Sequence, residues 1–122
     1  MNDVLLWTGR ILFGGYFILM GLNHFMQAKN MTGYAASKGV PAPSLAVPLT
    51  GILLLIGGLG VLTGFYMPAA LWALVVFLVP VTFMMHSFWA LKDPMQKMGE
   101  MVNFMKNLAL LGAVFALLAL WK

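Results

Sequence analysis

The feature that most constrains this chain is a stretch of 53 residues, 39–91, in which no residue carries a formal charge. A helix that crosses the hydrocarbon core of a bilayer needs about 20 apolar residues, so the stretch is long enough for two membrane spans. Residues 64–68 separate these two spans. Gly64 suits the position just past a helix end, and Pro68 suits the first position of the next helix.

Two further apolar stretches flank this one. Residues 4–26 are interrupted by Arg10, and residues 99–121 are interrupted by Glu100 and Lys106. We therefore predict an all-α fold, an integral membrane four-helix bundle that forms a single transmembrane domain. The predicted spans are residues 4–26, 44–65, 68–91 and 99–121, joined by a first loop of roughly seventeen residues and two short connections.

Composition excludes other classes of protein. Hydrophobic residues make up 62% of the chain and charged residues 8%, whereas a soluble domain is about 25% charged and a disordered chain is poor in apolar residues. The absence of cysteine excludes disulfides, thiol catalysis and cysteine-ligated zinc or iron–sulfur sites. The basic residues are scattered between the spans, so we expect no nucleic-acid partner.

The loop lysines predict the orientation. Lys29, Lys38, Lys92 and Lys97 belong to the first and third connections, which lie on the same side of the membrane. Counting positive charges places this side in the cytoplasm and both termini outside it. We expect no cleavable signal peptide, because the N-terminal region is not basic and Arg10 interrupts the apolar stretch.

Polar residues within the spans are the best indication of function, because a charged side chain in hydrocarbon is costly and usually faces protein or a cavity. In the first span Arg10, Gly14, Phe17, Gly21 and His24 recur at steps of four and three and share one helical face. The glycines allow close approach of a neighbouring helix, so this face is predicted to contact protein. The alternative is that Arg10 extends to the outer interface.

The third span carries Val79, Thr82, His86 and Trp89 on one predicted face, beyond a helix-kinking Pro80. A single histidine in a membrane helix can also bond only a backbone carbonyl or water. The role of His86 therefore depends on what the other spans bring to the same depth.

The fourth span begins with a broad polar face of Glu100, Asn103, Lys106 and Asn107. One interpretation is that Glu100 and Lys106 are boundary charges and that the asparagines bond neighbouring helices. The other is that this face, the two histidines and Asn23 converge at the cytoplasmic end of the bundle, with Arg10 nearer the outer end. On the second interpretation the predicted ligand-binding residues are Arg10, His24, His86, Asn103, Lys106 and Asn107.

Methionine and histidine side chains are also candidate ligands for copper or haem. A helical stripe of Met95, Met98, Met101 and Met105, together with histidine, suits Cu(I), and two histidines permit a bis-histidine haem. Methionine also fills irregular cores, and no haem attachment motif is present. We therefore expect no metal site, and we regard copper and haem as less favoured than a quinone.

The chain resembles the DoxX family. The resemblance is carried by Arg10 and Gly14 in the first span, by Gly21-Leu-Asn-His24 at its end, and by residues 103–112 of the last span, Asn-Phe-Met-Lys-Asn-Leu-Ala-Leu-Leu-Gly. It implies a small multi-pass protein of the bacterial or archaeal inner membrane. Members of the family are associated with quinone-linked oxidoreduction and with membrane complexes that handle oxidative or thiol stress.

Three functions are compatible with these features. The first is a subunit of a quinone-linked redox or oxidative-stress system with a polar intramembrane pocket, which the resemblance favours. The second is a non-catalytic accessory or assembly subunit, and the third is a carrier of a small hydrophobic molecule. Expected partners are the lipid bilayer and either other membrane subunits or further copies of the chain. Whether the chain is itself an enzyme stays open, because it carries no redox motif of its own.

Overall fold

A computed structural model describes residues 3–121, and its described residues are helical with short connections and no strand. Four stretches are long and apolar enough to cross a membrane: Asp3–Met26, Pro43–Thr63, Met67–Ala90 and Pro94–Leu120. We call them spans 1 to 4. The predicted all-α membrane bundle is confirmed by these four apolar helical stretches. Helices suit a bilayer because most of their backbone polar groups bond within the helix.

Span 1 is a continuous rod with a local change of winding. It consists of α1 (Asp3–Gly9), a π-helical segment (Arg10–Gly14) and α2 (Gly15–Met26). Span 2 is α4 (Pro43–Thr63), and Gly64 ends it in the left-handed conformation, at φ 76°. Gly64 therefore lies just past the helix end, as the sequence predicts.

In span 3 the long helix ends earlier than predicted, and in span 4 it begins earlier. Span 3 contains α5, which covers Met67–Met85, followed by a short 3₁₀ helix at Phe88–Ala90. His86 therefore lies just beyond the end of α5, and the predicted helical face that continued to Trp89 is wrong. Span 4 is α6 (Pro94–Leu120), which starts before the predicted residue 99 because the Asp93 carboxylate accepts a hydrogen bond from the backbone N–H of Gln96 at 3.0 Å.

The predicted first loop contains a helix of its own, α3, over Ala28–Ser37. Lys38 caps its C-terminal end, and Gly39 follows with φ 79°. Ala35 of α3 is buried, so the helix packs onto the bundle. This helix is not predicted from the sequence, because it is too short and too polar to resemble a membrane span.

Glycines join spans 1 and 2. A Cβ on Gly14 would lie 2.8 Å from the carbonyl oxygen of Gly58, and a Cβ on Gly21 would lie 3.0 Å from that of Gly51. The two antiparallel helices thus touch backbone to backbone at two levels. The predicted contact of the glycine face with protein is confirmed.

The spans pack in sequence order, α2 on α4, α4 on α5 and α5 on α6. The core lies between them and includes Phe17, Leu54, Leu74 and Val114, each at most 1% exposed. The backbone of span 4 lies much closer to that of α5 than to that of span 1. A seam therefore remains between spans 1 and 4, and two cavities lie along it.

Candidate functional site

One cavity of about 290 Å³ lies at the end of the bundle that carries α3. Five predicted site residues line it, and we call it the polar cavity: His24, His86, Asn103, Lys106 and Asn107. Its other walls are apolar and come from all four spans, with Met31 and Tyr34 of α3 covering one end. Asn23, which the sequence placed at the same depth, is exposed instead.

Both histidines use one ring nitrogen for structure. Nδ1 of His24 lies 2.8 Å from the carbonyl oxygen of Met20, and Nδ1 of His86 lies 3.1 Å from Oε1 of Glu100. Carbonyl and carboxylate oxygens only accept, so Nδ1–H is the donor in each ring. A neutral imidazole then carries an unprotonated Nε2, which can accept a hydrogen bond or a proton.

Lys106 has no carboxylate partner within residues 3–121. Its Nζ lies 5.7 Å from the centre of the Tyr16 ring, so a cation–π contact spans the seam between spans 1 and 4. Asn107, 5% exposed, lines the same cavity. Its side chain makes no hydrogen bond to the described part of the protein. Lys106 and Asn107 thus provide N–H donors that are free to bind a ligand oxygen.

The polar cavity borders a cluster organised by Glu100, which is 8% exposed. We call this the Glu100 cluster; it consists of Glu100, Tyr34, Lys38, His86 and Asn103. Lys38 Nζ lies 2.8 Å from Oε2 of Glu100, and Asn103 Nδ2 donates to Oε1 at 3.1 Å. The Tyr34 hydroxyl also donates to Oε2. The cluster therefore ties α3 and the segment after α5 to α6.

The environment of Tyr34 keeps it a neutral donor. Tyr34 belongs to α3, outside the four spans. Burial raises the pKa of its phenol, and the hydrogen bond and negative charge of Glu100 raise it further. The phenol therefore stays protonated through the neutral and mildly alkaline range.

A second, larger pocket of about 710 Å³ lies on the other side of the Glu100 cluster. Tyr34 and Asn103 line both spaces. Lys38, Ser87 and Gln96 give the second pocket a polar wall. The Glu100 cluster thus forms a partition between this open pocket and the polar cavity.

Sequence reasoning missed Tyr34 and Lys38 as members of the site. The available signal was the spacing of Met31, Tyr34, Ala35 and Lys38, which places all four on one face of a short helix. Glu100 was recognised as part of a polar face, but its partners were not.

The sixth predicted residue, Arg10, lies away from the other five. It lines a cleft of about 420 Å³ at the opposite end of the seam. Its guanidinium carbon is 5.2 Å from the centre of the Trp7 ring. The structure therefore brings five of the predicted residues together and separates Arg10 from them.

Fold and site together define an integral membrane helical bundle with a polar-lined cavity near one end. A family model described as DoxX matches residues 5–87, about two thirds of the chain. The chain belongs to the DoxX family, as the sequence resemblance indicated. The match ends before α6, so residues 103–112, which contributed to the resemblance, lie outside it. No curated protein and no solved structure gives a significant match.

Proposed function

We propose that the protein binds a quinone-like ligand in the polar cavity, as the membrane-embedded subunit of a quinone-linked redox or oxidative-stress system. The observation that carries this proposal is the composition of the cavity wall. Four spans supply apolar side chains, while His24, His86 and Lys106 bring polar atoms to the same space. Ligand pockets typically combine apolar walls with a few convergent polar groups.

The polar atoms complement both redox forms of a quinone. Quinone carbonyls accept hydrogen bonds, which Lys106 and Asn107 can donate. Quinol hydroxyls donate them, and Nε2 of His24 or His86 can accept. An imidazole is also suited to exchange the proton that accompanies oxidation of a quinol.

The cavity size favours binding of a ring with its tail outside. A volume of about 290 Å³ is at the lower end of the range for ligand pockets, about 300–1,000 Å³. A head group fits, whereas a long isoprenoid tail does not. The seam between spans 1 and 4, where Lys106 meets Tyr16, offers the tail a route to the bilayer.

We assign electron transfer to a partner subunit. The chain has no cysteine, and its sequence carries no dinucleotide fingerprint or flavin-binding loop. In this proposal the chain binds the quinone and moves protons, and another subunit supplies or removes electrons. We further propose that the protein resides in a bacterial or archaeal inner membrane, with α3 on the cytoplasmic side.

Lys106→Met tests the proposal. Loss of one charged donor should weaken binding of a decyl-tailed benzoquinone about tenfold, which corresponds to about 1.4 kcal/mol. Isothermal titration of purified protein in detergent measures the Kd. Lys97→Met is the matched control, because Lys97 is also an exposed lysine of α6 but does not line the cavity.

Two results would contradict the proposal. Equal quinone affinity in the folded wild type and in Lys106→Met would remove Lys106 from the site. A wild type that binds no quinone would refute the ligand assignment, and co-purification of such a protein with other membrane subunits would support an accessory role instead.

A further inference from the structure

The cleft around Arg10 is separate from the polar cavity and lies at the other end of the seam between spans 1 and 4. Its volume is about 420 Å³, and apart from Arg10 its lining is almost entirely apolar. Phe13 of span 1 and Ala113, Ala116 and Leu117 of span 4 form facing walls. We call it the Arg10 cleft.

Within residues 3–121, Arg10 is a cation without an anionic partner. The chain has only three acidic residues, Asp3, Asp93 and Glu100. Asp93 caps α6 and Glu100 is engaged in its cluster, both at the opposite end of the bundle. No ion pair joins Arg10 to Asp3, and within residues 3–121 the buried Nε of Arg10 has no hydrogen-bond partner.

The guanidinium lies at the edge of the bundle. A Cβ on Gly64, the residue that ends α4, would come within 2.5 Å of its Nη2. The carbonyl end of α4 is a favourable neighbour for a positive charge. A helix end carries only a partial charge, however, and it leaves several of the five N–H donors of the guanidinium unused.

We propose that the Arg10 cleft binds an anionic phospholipid, with the phosphate on the guanidinium and an acyl chain between spans 1 and 4. Charge complementarity selects this occupant, because guanidinium groups bind phosphate oxygens in a bidentate manner. The apolar walls beside Phe13 and Leu117 suit an acyl chain. A quinone head fits less well, because it is neutral and the cleft offers it one polar group. This site is independent of the quinone proposal.

The test compares lipids on the purified protein in detergent. Native mass spectrometry should show phosphatidylglycerol retained by the wild type in preference to phosphatidylcholine. Arg10→Gln should lower this retention about fivefold, because one basic group near a membrane surface contributes about 1 kcal/mol to anionic lipid binding. Arg10→Lys, which keeps the charge but loses the bidentate geometry, should give an intermediate value. Lys97→Gln is the control for a basic residue at the other end of α6.

Thermal unfolding separates lipid binding from a structural role of Arg10. Arg10→Gln can lower the melting temperature without lipid, since the side chain neighbours the end of α4. The relevant quantity is the additional rise in Tm on adding phosphatidylglycerol, which should be large in the wild type and small in Arg10→Gln.

Three results would overturn the proposal. The first is equal retention of phosphatidylglycerol by the wild type and Arg10→Gln. The second is equal protection of the wild type by inorganic phosphate. The third is a lipid-free dimer whose interface covers the cleft. None of these three results changes the Kd that the quinone titration measures. Failure of the lipid proposal is therefore distinguishable from failure of the proposed function.

Discussion

Breaking the ion pair between Lys38 and Glu100 should release α3 from the bundle. Their side chains are 13% and 11% exposed, and Lys38 Nζ lies 2.8 Å from the Glu100 carboxylate. The proposed experiment is a double-mutant cycle of Lys38→Met, Glu100→Gln and the double variant.

The expected loss of unfolding free energy follows from the burial of Lys38 and Glu100. An exposed ion pair contributes about 0–1 kcal/mol, whereas removing one partner of a buried pair costs about 3–5 kcal/mol because it leaves the other charge uncompensated. Glu100→Gln strands Lys38, so we expect a loss near the lower figure, about 3 kcal/mol. Lys38→Met leaves Glu100 with Tyr34, His86 and Asn103 as donors, so about 1–2 kcal/mol is expected, the range of a single hydrogen bond to a charged group. The double variant strands no charge, and the coupling energy should be about 1–2 kcal/mol.

Reversible unfolding in mixed micelles with increasing sodium dodecyl sulfate measures these free energies, and hydrogen exchange of the α3 amides reports whether the loss is local. Lys29→Met with Glu100→Gln is the control cycle, because Lys29 is also on α3 but is exposed. The reasoning is refuted if the effects of Lys38→Met and Glu100→Gln add within about 0.5 kcal/mol, as they do for independent sites.

Two further predictions concern α3 and the glycine contacts. Because the pKa of Tyr34 is raised in the folded protein, its contribution to stability should be complete below about pH 10, the ordinary value for tyrosine, and should be lost as the pH rises through the folded-state pKa. Tyr34→Phe should weaken α3 docking at pH 7 and remove this alkaline dependence, which the unfolding assay in mixed micelles at increasing pH would detect; an unchanged alkaline loss in the variant would assign it to another group. Gly14→Ala should destabilise the bundle by about 1–3 kcal/mol, since its Cβ would meet the Gly58 carbonyl at 2.8 Å, whereas Gly15→Ala, with no atom within 4 Å, should be nearly neutral in the same unfolding assay. Equal effects at the two positions would show that close backbone approach is not what Gly14 provides.

The sequence alone was sufficient to predict the four membrane spans. Long apolar stretches have to become helices in hydrocarbon, where water cannot satisfy the backbone, so the number and approximate positions of the spans follow from composition. The helical period of 3.6 residues also depends only on the local sequence. It predicted that Gly14 and Gly21 share one face, and this face contacts span 2. The same reasoning selected five residues that prove to line one cavity.

Only the tertiary structure decided which polar groups meet. The sequence offered Lys106 as a neighbour of Glu100, yet Glu100 pairs with Lys38 and with Tyr34, 66 residues away in the chain, while Lys106 turns toward Tyr16. Periodicity describes one helix at a time, whereas pairing depends on how deep each side chain lies in the bundle and on which helices are adjacent. For the same reason the position of Arg10 at the far end of the seam required the packed structure: a helical face specifies a direction around the axis, but not which neighbour stands opposite at that level.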